Sequence, residues 1–222
     1  MNIATYLTGG QRPVFTLGFM SVYQDVVMST GGGDGTINGI LGKNFYGNES
    51  QFYRFSGTPA KTMEEFIFNA GVSRVTADPD ANPLRDDGVR WIPLVNGDFD
   101  VPVLTMHTLG DFYVPFRHQQ LYRERAIASG NDDWLVQRAI RAPGHCDFSA
   151  GEYQVALADW LQWVNQGVKP TGDDVLTPEI VADFNYGCAY TVGQRPLVGV
   201  CPPDSLHAKS GVMQNDVIRR FP

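Results

Sequence analysis

Two residues of this chain combine the type and the setting that proton-transfer chemistry needs. Asp111 lies in LGDFYVP (109–115) and His145 in RAPGHCDFSAGE (141–152), 34 positions further on. Each stands three residues beyond a segment that reads as a strand, Asp111 after Thr108 and His145 after Ala142. An imidazole titrates near neutrality and can take and return a proton. A carboxylate that fixes its tautomer and stabilises its charged form completes the acid and base members of a nucleophilic triad. Taken singly, Asp111 would be an ordinary turn residue after Gly110 and His145 an ordinary loop histidine.

The other polar candidates read as structural. His107 falls inside the strand and is expected to be a core or supporting histidine, while His118 and His207 are expected at the surface. The four histidines have no ligand spacing, so no metal and no cofactor is predicted. Cys146 adjoins His145, but neighbouring side chains tend to project apart and an activated thiol needs its base within reach, so a structural cysteine is expected. Ser149 suits the N-cap of a following helix, with Glu152 completing a capping box. Asp173 and Asp174 read as a solvated pair. GGGDG (31–35) lacks the lysine and following Ser or Thr of a phosphate loop and reads as a plain loop.

The elements that must position Asp111 and His145 are legible from about residue 90 onward. VPVLTMHT (101–108) is a nearly unbroken apolar run of strand length, the pattern of a strand buried on both faces. RHQQLYRERAIASG (117–130) reads as a helix closed by Gly130, NDD (131–133) as a turn, and WLVQRAIRA (134–142) as a second strand. AGEYQVALADWLQWVNQG follows as a helix, with Tyr153, Ala156, Leu157, Trp160, Leu161 and Val164 as an apolar stripe for the sheet. Strand, helix, strand, helix predicts an α/β class with a right-handed crossover and parallel strands. Both loops then open at the C-terminal ends of neighbouring strands, where such sheets keep their functional groups.

These segments resemble the C-terminal part of an α/β-hydrolase of the esterase or lipase-like kind. The likeness rests on HTLGDFYVP, on GHCDFSAGE, on their spacing and on the helices after each; it covers residues 100 to 170. It implies Asp111 as triad acid and His145 as base, in the family's chain order of Ser, Asp or Glu, then His. The family's Gly-x-Ser-x-Gly elbow is missing: GVSRV (71–75) lacks the second glycine and follows a helix. The oxyanion loop of HGGG type is missing too. The resemblance therefore implies a partial hydrolase fold with a mainly helical or irregular lid at 1–100, a core at 101–170 and an irregular extension at 171–222. The serine would lie in an N-terminal half outside these residues, and the chain alone would be inactive. Its substrate would be a small-molecule ester or amide. The alternative is a non-catalytic binding or scaffold module that keeps part of this topology.

Composition bounds the rest. Hydrophobic residues at 43% and charged residues at 18% describe a globular protein, and a net charge of −7 argues against nucleic acid as the main partner. No stretch reaches the ~20 apolar residues of a membrane span, and MNIATYLTGGQRPVF is no secretory signal, so the chain as it stands reads as cytoplasmic. Exported members of the family carry a signal at the true N-terminus, so a preceding half would reopen a secreted or periplasmic location. Cys188 and Cys201 flank a turn-rich segment and are either a disulfide or two buried thiols. TMEEFIFNAG (62–71) reads as a short helix within an irregular first hundred residues. The aromatic residues there (Phe15, Phe19, Tyr23, Phe45, Tyr46, Phe52, Tyr53, Phe55, Phe66, Phe68) either form a small core of their own or line an apolar pocket. Oligomeric state is not legible.

Overall fold

The pairing of two apolar strand segments organises the larger part of the molecule. In the computed structural model, which describes residues 3–23, 44, 47–58, 60–90, 92–193, 195, 198, 199, 201 and 202, β1 (Val103–Thr108) lies parallel to β2 (Leu135–Ile140). The register pairs Val103 with Leu135 and Thr108 with Ile140. The class is α/β, with a small parallel sheet of two strands and several helices among the described residues. Helix α4 (Arg117–Ala128) and a single 3₁₀ turn (Asp132–Trp134) connect the strands, and α5 (Ala150–Gln166) follows β2. GGGDG (31–35), Phe45, Tyr46 and His207 lie outside the described residues.

Contacts divide the chain into two units. One comprises Met1–Leu7 and Tyr23–Val95, and the other Thr8–Val22 and Asn96–Pro222. The second unit contains both strands, α2 (Phe15–Val22), α4, α5 and the short α6 (Pro178–Val181). Its core gathers Leu109, Phe116, Ala139, Val175, Val181 and Tyr186, and a second cluster joins Ile140, Ala142 and Tyr190. β2 is buried at every position, although Gln137 and Arg138 are polar. Gln137 donates to the Gln119 carbonyl and accepts from Arg123 Nε, and Arg138 meets Asp159 at 2.6 Å, so each buried polar group is partnered.

Two expectations change here. The stripe on α5 is only partly covered: Ala156 is buried and Trp160 donates to the Pro102 carbonyl, but Tyr153, Leu157 and Val164 are exposed. Tyr153, Leu157 and Trp160 line a shallow groove with Leu104 and Met106 instead of meeting a closed core. Asp173 is not a solvated residue. Its amide donates to the Gln137 carbonyl and its Oδ2 accepts from Ala139 N at 2.7 Å, so it closes the free edge of β2. Thr191 Oγ1 extends that seal by accepting from Arg141 N. Sealing an edge in this way removes a template for unwanted strand pairing. Burial raises the Asp173 carboxyl to about 6, against the pull of the Ala139 amide and Arg138. A disulfide joins Cys188 to Cys201, across 13 positions of the extension.

The first unit contains α1 (Ile3–Leu7) and α3 (Met63–Gly71). Thr62 and Glu65 form a capping box at the start of α3. Glu65 also accepts from Phe55 N and Ser56 N, which ties the preceding loop to the helix. Burial alone would raise this carboxyl. The bonds from the Phe55, Ser56 and Thr62 amides and the Ser56 side chain outweigh it and hold the group down near about 2. Of the aromatic residues in the first hundred positions, Phe52 packs on Phe66 and Phe55 on Phe68, so these rings form local pairs, with Phe66 and Phe68 still half exposed.

Candidate functional site

The acid and base loops are extensions of the sheet. Beyond β1 the ladder continues, with Leu109 N donating to the Ile140 carbonyl and Gly110 N to the Ala142 carbonyl, both at 2.9 Å. Thr108 Oγ1 donates to the Gly144 carbonyl at 2.7 Å, fastening the end of β1 to the histidine loop. Position 110 has to be glycine, because a Cβ there would stand 2.5 Å from Pro143 Cα. The two loops therefore press directly on one another.

That contact brings the two side chains together. His145 Nδ1 lies 2.7 Å from Asp111 Oδ2. Asp111 is 4% exposed, and its Oδ1 accepts from Tyr113 N and Val114 N, each at 2.9 Å. An ionised carboxylate can only accept, so its partner nitrogen carries the proton and Nε2 is left as the basic lone pair of neutral His145. His145 is exposed and its ring packs 5.6 Å from that of Tyr113. An imidazole oriented by Asp111 through Nδ1 can use its other nitrogen to remove a proton from a nucleophile placed against it.

His107 is buried at the end of β1, its Nδ1 2.9 Å from the Thr108 carbonyl and its ring edge-on to Phe116. Burial lowers its pKa, although the charge of Asp111 opposes the shift. His118 is exposed on α4. Ser149 caps α5, and Glu152 completes the box while also pairing with Arg195 at 2.7 Å. Among the described residues no group of three His, Cys, Asp or Glu could hold a metal, and no helix is long and apolar enough to cross a membrane.

Cys146 departs from expectation. It is exposed, with φ of 52°, and that left-handed backbone turns its Sγ back to 3.5 Å from His145 Nε2. Adjacent side chains diverge in extended or helical backbone; the positive φ is the reason these two converge. Residue spacing carries no signal for it. Arg12 is the other residue that the sequence did not mark. It is 5% exposed, and its Nε donates at 2.6 Å to the Leu109 carbonyl, two residues before Asp111. Burial lowers it to about 10, against the raising charge of Asp111.

Comparison with known proteins gives one informative likeness. The chain is 34% identical over 77 residues to an o-phthalyl amidase of Xanthobacter agilis, and the match covers 35% of this chain and 17% of that protein. No family model matches the chain, and no solved structure matches it. The partial likeness to a protein named as an amidase points toward a hydrolase.

Proposed function

We propose that Asp111 and His145 are the acid and base of a triad that hydrolyses amide bonds, with a serine from outside these 222 residues as nucleophile. The observation that carries this reading is the 2.7 Å contact between His145 Nδ1 and Asp111 Oδ2 at the C-terminal end of a parallel strand pair. The partial likeness to an amidase supports amide over ester as the bond cleaved. In this reading 101–170 is the C-terminal core of an α/β-hydrolase and residues 1–100 are its cap. The uncovered groove of Leu104, Met106, Tyr153, Leu157 and Trp160 is consistent with more of the fold packing there.

His145 Nε2 takes the serine proton as the oxygen adds to the amide carbonyl. The imidazolium, stabilised by Asp111, then protonates the departing amine, and the same nitrogen activates the water that releases the acid. The test is amide hydrolysis by protein expressed with the coding sequence in frame upstream. His145→Ala and Asp111→Asn should each lower kcat on the order of 10⁴-fold. Full activity in His145→Ala would end this reading.

A second reading follows from the 3.5 Å approach of Cys146 Sγ to His145 Nε2. Here the thiol loses its proton to Nε2 and attacks the carbonyl; the C–N bond breaks as the imidazolium returns that proton to the departing amine, and water, activated by the same nitrogen, then cleaves the thioester to the acid and the free thiol. The 222-residue chain separates the two. Rapid iodoacetamide alkylation of Cys146, slowed in His145→Ala, belongs to the thiol reading, and an unreactive Cys146 excludes it.

A further inference from the structure

The side chain of His145 is 44% exposed, so its position depends on the backbone of the loop that carries it. Upstream, that loop is fastened to β1 through the Gly144 carbonyl. Downstream, its anchor comes from far along the chain. Arg195 Nη2 donates at 2.8 Å to the carbonyl of Asp147, two residues after His145. The same guanidinium grips both oxygens of Glu152, Nη1 on Oε1 at 2.8 Å and Nη2 on Oε2 at 2.7 Å. The Glu152 side chain is fully enclosed and that of Arg195 is 14% exposed, so little water competes for this two-pronged contact.

Arg195 lies in the segment that the Cys188–Cys201 disulfide closes. That segment also holds the chain ahead of the histidine. Arg141 N donates to Thr191 Oγ1 at 2.8 Å, and Arg141 Nη2 donates to the Val198 carbonyl at 2.9 Å. Tyr190 packs with Ile140 and Ala142, and Phe148 lies against the same cluster. One covalently closed segment thus grips the chain on both sides of His145. Helix capping does not account for this. The start of α5 is already served by Ser149 and Glu152, and the Asp147 carbonyl stands two residues before the N-cap. Between the anchors Cys146 keeps a left-handed backbone, a conformation that persists in such residues only where the surroundings impose it.

We infer that Arg195 is a positioning residue for His145: held by the Cys188–Cys201 disulfide, it braces the loop so that the imidazole stays on Asp111. The catalytic consequence rests on the acid–base reading above. The brace itself is a property of the 222-residue chain and is measured there.

The test reads the tautomer of His145 from its ring nitrogen resonances at about pH 9, where imidazoles are neutral. The bond to Asp111 selects the tautomer protonated at Nδ1. In Arg195→Ala the ratio of Nδ1–H to Nε2–H forms should fall about tenfold, and millimolar guanidinium should restore it. Cys188→Ala/Cys201→Ala should move the ratio in the same direction. Ser149→Ala, which weakens the same helix start but leaves Arg195 on Asp147, should keep the parent ratio. The charge-neutral pair Glu152→Gln/Arg195→Met should still show the loss, and it carries the test should Arg195→Ala fail to fold. An unchanged ratio in folded Arg195→Ala, or a parent ratio in the neutral pair, would overturn the inference; the second outcome would mean that only the stranded Glu152 charge mattered. In the protein expressed with the upstream coding sequence, Arg195→Ala should lower kcat about 100-fold with KM unchanged, and a change in KM alone would count against positioning. If His145→Ala left hydrolysis intact, the triad reading would fall while the tautomer ratio still judged the brace.

Discussion

The two units solve the burial problem in opposite ways. Around β1 and β2, apolar side chains fill the interior, with Leu109, Phe116, Ala139 and Ile140 fully enclosed. In the first unit, Ala81 is the buried apolar residue among those described, and the other enclosed side chains are Thr5, Glu65 and Asn69. There, polar groups do the organising. Asn69 exchanges two bonds with the Tyr53 backbone at 2.8 Å each, Asn48 reaches Ser73 and Val75, and Arg74 gathers the carbonyls of Asn48, Gln51 and Asn69. Apolar burial is non-directional and tolerant of small shifts, whereas side-chain bonds to backbone depend on geometry and protonation. The units should therefore fail under different insults.

The largest expected effect is on the apolar side. Phe116→Ala should destabilise the second unit by about 3–5 kcal/mol, read as loss of amide protection along β1 and β2. The same measurement should leave the amides of Phe55, Ser56 and Thr62 protected, and loss of both sets together would break the comparison.

Protonation should act with opposite signs. The Glu65 carboxyl is held below its ordinary 4.5, near about 2, so its stabilisation is present above pH 4.5 and is lost as pH falls toward 2. Asp173 is raised from 3.8 to about 6, so its ionised form is penalised above pH 6 and the penalty disappears as pH falls through that window. Asp173→Asn should accordingly stabilise the second unit at pH 7 by about 3 kcal/mol, with the gain gone below pH 3.8. A gain that persists at pH 3 would mean that the amide packs better for reasons unrelated to charge.

The smallest effect sharpens the comparison, because both units use one local device. Ser149→Ala and Thr62→Ala remove equivalent N-caps and should each cost about 1 kcal/mol. In the first unit the same cap also anchors the Glu65 hub, so Thr62→Ala should deprotect the Phe55 and Ser56 amides as well, whereas Ser149→Ala should fray only the first turn of α5.

Much of the second unit was readable along the chain. The β1 run, the β2 segment, the helix stop at Gly130 and the Ser149–Glu152 box are short-range signals that the structure keeps, in residues 103–166. The first unit had fewer such signals. α3 was legible from its acidic first turn and closing glycine, but the Glu65 hub was not, since its partners are backbone amides that any residue would offer. The solvated reading of Asp173 failed for a similar reason: nothing in a charged dipeptide says that a strand edge will run beside it.

The sequence by itself determined the α/β class and the loops that hold Asp111 and His145, because strand period, helix caps and turn residues act over a few positions. Only the tertiary structure decided that Cys146 turns back on His145, which face of α5 stays uncovered, and that Arg12 meets the Leu109 carbonyl 97 positions away. Those outcomes follow from through-space packing and from the cost of stranding a buried polar or charged group, and neither has a period that can be read along the chain.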